Sequence, residues 1–197
     1  MIGLTLRTER LLIRGFSDSD TAAIHRVLDL SFGDGSLVDD AAALEERRSW
    51  VAWQELNDRW FPRMLQAPYG DRAVVLAGSG ELVGAVGLVP LVGPFDQLPG
   101  LRRGPAQEQA GSIPEVGLFW AIHPDHRRRG FAVEAARAMI GHALRTLELR
   151  RILALTEHSN LASQAVMRAS GMVVLVNPEP DPPWLQVVGV AHRATWR

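Results

Sequence analysis

Two rhythms of apolar and polar residues run along this chain, and each change of rhythm marks a new element. Short apolar runs bounded by turn residues predict strands at Leu11–Gly15, Arg72–Ala77, Leu82–Val89, Ile113–Ile122, Arg150–Thr156, Val173–Val176 and Leu185–Thr195. Apolar residues three to four apart predict helices at Thr21–Leu30, Asp39–Leu65 and Val133–Leu144. A fourth opens at Asn160 and is stopped by Gly171. The punctuation agrees with these limits. Ser17-Asp18-Ser19-Asp20 offers N-caps, Gly33-Asp34-Gly35-Ser36 breaks the first helix, and Pro62 or Pro68 ends the second. Ser79-Gly80 turns a hairpin, and Gly84 and Gly87 in its second strand leave room for curvature or a bulge.

The elements predict an α+β fold, with a mixed sheet of about seven strands flanked by helices. Ile113–Ile122, the helix after it and Arg150–Thr156 make a βαβ unit with a right-handed crossover. Ile152, Leu153 and Ala154 give the second strand of that unit the apolar character of burial on both faces. Trp50, Trp53 and Trp60 fall near one face of the second helix, and at least two of them are expected to pack on the sheet. Residues 90–114 break the pattern. They carry Pro90, Gly93, Pro94, Pro99, Gly100, Gly104, Pro105 and Gly111, too many for a hairpin loop. The segment reads as a mobile loop or as a lid or homodimer contact, and Phe95, Leu98 and Leu101 favour the second.

Composition narrows the chemistry. A chain of 197 residues suits one domain, 1–197. A formal net charge of -1 argues against binding nucleic acid with the whole surface. With no cysteine, a disulfide framework, a thiol nucleophile and a thiolate metal site are all excluded, and no metal is expected. No stretch has the apolar length of a signal peptide or a membrane span, so a cytoplasmic protein without a membrane partner is expected.

The chemistry centres on Ala121-Ile-His-Pro-Asp-His-Arg-Arg-Arg-Gly-Phe-Ala132, a strand end, a tight turn and a helix start. Pro124 stops the strand and Gly130 lacks a Cβ. Such a turn can aim several N–H groups at one spot on the positive end of a helix, a ready site for phosphate oxygens. Arg127, Arg128 and Arg129 add charge beside it. Arg127-x-x-Gly130-x-Ala132 after this strand resembles the acetyl-coenzyme A signature of the GNAT N-acetyltransferase superfamily. The approach to the first strand, Thr8-Glu9-Arg10, resembles the branch that acetylates ribosomal-protein N-termini. The resemblance spans nearly the whole chain, with its specific motifs between Glu115 and Met172.

That resemblance implies acetyl-CoA as co-substrate, bound at a splay between the fourth and fifth strands. The turn from Arg127 through Phe131 to Ala132 would hold the pyrophosphate, and Ala121, Ile122 and His123 the pantetheine arm. Asn160 would open the helix beside the cofactor. The acceptor would be an amine, a small molecule or a protein N-terminus, near the tryptophan helix. Glu115 is the expected base, with His123, His158 and Glu157 as alternatives. Many family members carry a tyrosine acid where this chain has Met167, and the only tyrosine is the distant Tyr69. Ser163 is the expected thiol proton donor in its place. A non-catalytic acyl-CoA sensor of the same fold is the rival reading, separated from the enzyme by turnover with amines.

Overall fold

The computed structural model describes residues 4–32, 36–37, 40–102 and 111–196. The glycines at 33 and 35, the helix start at Asp39 and Gly104-Pro105 therefore lie outside the described residues. Within them are eight strands and four α-helices, an α+β fold with a mixed sheet. The strand beyond the seven expected is a two-residue pair, too short for a sequence pattern. The chain divides into two compact units, residues 1–88 with 119–139 and residues 89–118 with 140–197.

The first unit contains β1 (Leu6–Arg7), β2 (Leu11–Arg14), β3 (Gly70–Leu76) and the start of β4 (Leu82–Gly93). These strands pair in that order, all antiparallel where their register is defined. Between β3 and β4 the register slips by one residue after Val74, so the expected bulge sits beside Gly84. Helix α1 (Thr21–Asp29) and helix α2 (Ala41–Trp60) cover this part of the sheet. Ile24, Val27 and Val51 pack with Ala73, Val75, Ala85 and Ala121 into one core. Asp40 caps α2 through its carboxylate, which accepts the Ala43 N–H at 2.8 Å.

Only Trp50 of the three tryptophans packs inward, edge-on to Phe16 at 5.2 Å. Trp53 and Trp60 stay 54% and 46% exposed, so the expectation that two would pack on the sheet is corrected. The reason is geometric: α2 is buried chiefly through Val51 and Gln54, and Trp53 lies past the edge of that narrow stripe.

The second unit holds the end of β4, the start of β5 (Ile113–Ile122), β6 (Arg151–Thr156), β7 (Val173–Val176) and β8 (Val187–His192). Strand β6 pairs with β5 in parallel and with β8 in antiparallel fashion, and β8 pairs with β7. Helix α4 (Leu161–Ala169) belongs to this unit, while α3 (Phe131–Gly141) begins in the first and ends in the second. Strand β4 continues past Pro90 to Gly93, which shortens the segment expected at 90–114. Phe95, Leu98 and Leu101 are fully buried with Leu153, Leu185 and Val188. They are core of their own unit, so the reading of these three as a lid or dimer contact is corrected. Apolar side chains in a Pro- and Gly-rich segment mark burial as readily as exposure.

Candidate active site

In the first unit the end of β5 runs beside β4, where the His123 N–H donates to the Val83 carbonyl at 2.9 Å. Successive peptide groups of a strand point to opposite edges. The Ile122 N–H and C=O therefore face away from β4. The Ile122 carbonyl is taken by the Arg127 Nε at 3.1 Å and the Ser31 hydroxyl at 3.4 Å. Pro124 to His126 then make one short 3-10 turn, capped by His123, whose Nδ1 accepts the Asp125 N–H at 3.3 Å. The alternative of His123 as base thus meets a ring nitrogen engaged by backbone.

After this turn the backbone changes hand. Arg127 is extended, Arg128 has φ +62°, and Gly130 has φ +83° just before α3. Glycine adopts that region freely, whereas Arg128 does so at a cost of about 1–2 kcal/mol. A non-glycine residue held there needs surroundings that fix it, and such residues gather at ligand clamps. The Glu134 N–H donates to the Gly130 carbonyl at 3.0 Å, which makes Gly130 the helix N-cap. The N–H groups of Phe131, Ala132 and the residue after them have no acceptor within the helix. These donors lie at the positive end of the helix, where backbone N–H groups without an acceptor favour an anion. Arg128 and Arg129 are exposed beside it. Arg127 is exposed as well, but its side chain folds back on its own strand end, and its Nη2 donates to Ser31 Oγ at 3.2 Å.

In the second unit Gly117 of β5 lies opposite Leu153 of β6, the one registered pair of these strands among the described residues. Two residues earlier, both carboxylate oxygens of Glu115 accept from the Arg151 Nε at 3.1 Å, and its Nη2 donates to Oε1 as well. Both side chains are 5% exposed. Arg151 lies opposite His192 in the next ladder, and burial, with Arg151 and Arg150, pushes the His192 imidazole below its ordinary pKa. Asn160 caps α4 through its side-chain oxygen, which accepts the Ser163 N–H at 3.0 Å. The Ser163 hydroxyl is half-buried and has no partner among the described residues.

Met167 is fully buried, and its sulfur lies 3.0 Å from where a Cβ on Gly189 would sit. It fills the space the glycine leaves and points into the core. Glu157 and His158 are exposed in the turn after β6. That turn is fixed by buried Gln164, whose amide donates to the Glu157 and His158 carbonyls at 3.4 and 3.0 Å.

Three groups of this kind escape sequence reasoning. Arg151 reads as a strand-end cation, Gln164 as a surface helix residue, and Arg10 as part of a strand approach. The only advance signal was acidic: Glu134 in the first turn of a helix whose N-terminus already favours anions. Among the described residues no three His, Asp or Glu side chains gather as a metal site, and no helix is long and apolar enough to cross a membrane.

Comparison with known proteins identifies the family and the fold. An uncharacterized Bacillus subtilis protein, YkkB, is 26% identical over 170 residues, covering 85% of this chain and 84% of its own. The fold matches the ribosomal-protein-S5-alanine acetyltransferase of Vibrio fischeri with a TM-score of 0.63 at 14% identity, over 98% of this chain and 99% of that one. It also matches RimL, a ribosomal L7/L12 alpha-N-protein acetyltransferase solved with coenzyme A. There the TM-score is 0.58 at 16% identity, over 95% and 96% of the chains. The model of the acetyltransferase (GNAT) domain matches residues 10–173, and the chain belongs to that family of N-acetyltransferases.

Proposed function

We propose that this N-acetyltransferase takes acetyl-CoA as its acyl donor and passes the acetyl group directly to a primary amine in a ternary complex. The observation that carries the reading is the left-handed turn at Arg128 and Gly130, which leaves a row of backbone donors, the nest, at the start of α3. Bound acetyl-CoA supplies an acyl carbon activated as a thioester. The amine forms a C–N bond to that carbon, the C–S bond breaks, the nitrogen loses a proton and the sulfur gains one. Ala121, Ile122 and His123 provide the backbone edge for the pantetheine arm. Of these, the Ile122 amide has the orientation needed for a carbonyl contact, since it points away from β4. Asn160 shapes the cofactor side through the capped start of α4. Ser163, with its unpartnered hydroxyl, protonates the leaving sulfur.

Glu115 is the proposed base, on one condition: its carboxylate must be released by Arg151 when the amine arrives. The acceptor is a protein N-terminus or a small amine. The ribosomal-protein acetyltransferases among the structural neighbours support the first. Calorimetric titration of acetyl-CoA into the full chain tests the nest, and coenzyme A release with a panel of peptide N-termini and small amines tests transfer. Saturable binding and release with at least one amine are expected. Folded protein that binds no acetyl-CoA would refute the reading, and binding without release for any amine would favour an acyl-CoA sensor.

A further inference from the structure

Behind the nest lies a side-chain cluster to which the reaction above gives no part. Glu134 Oε1 accepts the Thr8 hydroxyl at 2.6 Å and the Arg10 backbone N–H at 2.9 Å. Its Oε2 accepts the Arg10 Nε at 2.7 Å, with the Arg10 Nη2 2.6 Å away. The remaining arm of the guanidinium, Nη1, donates to the Arg129 carbonyl at 2.9 Å. The guanidinium also lies over the Phe131 ring, 4.8 Å from its centroid. A Cβ built on Gly130 would come within 3.2 Å of Nη2. These contacts hold the Glu134 carboxylate below the ordinary range against the desolvation that pushes it up, chiefly through the Thr8 and Arg10 hydrogen bonds.

An exposed ion pair alone contributes little to stability. The position of the fifth contact matters more. In a trans peptide the C=O and the following N–H point in opposite directions. Holding the Arg129 carbonyl toward Arg10 therefore turns the Gly130 N–H to the far side, away from the guanidinium. The same hold fixes the Arg129–Gly130 peptide, which enters left-handed Gly130 one residue after strained Arg128. We propose that Arg10, itself held by Glu134, whose carboxylate Thr8 also bonds, is a positioning residue that presets the donor row of the nest for a diphosphate. The inference rests on the cofactor reading above. The fork of an arginine is required, since it bonds a carboxylate and a carbonyl at once and an ammonium on a flexible stem does not hold both in fixed geometry.

The test titrates coenzyme A and dephospho-coenzyme A by calorimetry into full-length wild type, Arg10→Ala, Arg10→Lys and Glu134→Gln. Amide hydrogen exchange of residues 127–133 is followed in the ligand-free proteins. Arg10→Ala should weaken both ligands about tenfold and by the same factor, the size expected for losing a charged hydrogen bond. Arg10→Lys should recover little of that, Glu134→Gln should fall between, and exchange at 127–133 should rise in step. Unchanged affinity with unchanged exchange overturns the proposal. A loss confined to coenzyme A also overturns it, because Arg10 would then touch the 3′-phosphate directly. If wild type binds neither ligand the cofactor reading fails, and exchange alone decides whether Arg10 sets the turn. Should Arg10→Ala not fold, Glu134→Gln carries the same comparison.

Discussion

The two ends of strand β5 treat hydrogen-bonding capacity in opposite ways. At its end, in the first unit, the chain turns left-handed and leaves main-chain donors without acceptors at the head of α3. At its start, in the second unit, both carboxylate oxygens of Glu115 are engaged by Arg151. Open capacity at a helix terminus is a place to bind, and closed capacity in a buried pair is a place to hold. The nest is built from backbone and depends on few side chains, whereas the role of Glu115 depends wholly on what faces it.

Substitution at Glu115 should cost the most. Glu115→Ala leaves the Arg151 guanidinium buried and unpaired, which should lower unfolding stability by about 3–5 kcal/mol in urea titrations. Replacing both residues, Glu115→Leu with Arg151→Met, should recover most of that loss. Glu115→Gln then separates the two roles. Reduced stability with turnover per folded molecule retained makes the pair structural, and lost turnover at unaltered stability makes Glu115 the base.

Next in size is Gly130→Val. A β-branched residue at φ +83° is strained, and its side chain enters the space beside Arg10 and the donor row. Acetyl-CoA affinity should fall about 100-fold, in line with losing one or two charge-assisted hydrogen bonds. Unaltered affinity in a folded variant would detach the nest from the cofactor.

Much of this was legible in the sequence, and the boundary of legibility is physical. Strand β5 and strand β7 are predicted to the residue, because His123-Pro124 and Asn177-Pro178 stop their apolar runs and Gly111 and Gly171 lie just before them. Asn160 and Gly171 read correctly as the start and stop of α4, since a cap is a local hydrogen bond and a left-handed stop is a local dihedral. The Arg127–Ala132 turn is legible for the same reason. What the sequence hides is long-range pairing. Arg151 meets Glu115 from 36 residues away, and Arg10 meets Glu134 from 124. Nor does a strand pattern tell that Asp71, at the start of β3, lies between Gln54 and Gly87.

Asp71 gives a smaller effect with a definite sign. Burial raises its pKa to about 6, against the pull of Arg72, and its Oδ1 has no hydrogen-bond partner among the described residues. The folded value lies above the model-peptide value of 3.8, so the folded state holds this proton more tightly. The stability contribution is present below about pH 4 and is lost as pH rises through 6. Asp71→Asn should therefore gain up to about 2–3 kcal/mol over wild type above pH 6 and nothing near pH 4. Urea unfolding at several pH values checks this, and a difference that stays flat between pH 4 and 7 would assign the titration elsewhere.

The smallest effect tests the second unit without touching its ion pair. The Asn160 side chain accepts one hydrogen bond, from the Ser163 N–H at 3.0 Å, and the residue sits exposed at the head of α4. Asn160→Ala should cost about 1 kcal/mol of stability, the usual loss for an N-cap, and Asn160→Asp should restore it. Cap and cofactor roles then part on one reading. If the asparagine only starts the helix, Asn160→Asp returns stability and acetyl-CoA affinity together. If it also faces the cofactor, the added negative charge restores the helix and leaves affinity low, because an anion beside a diphosphate repels it.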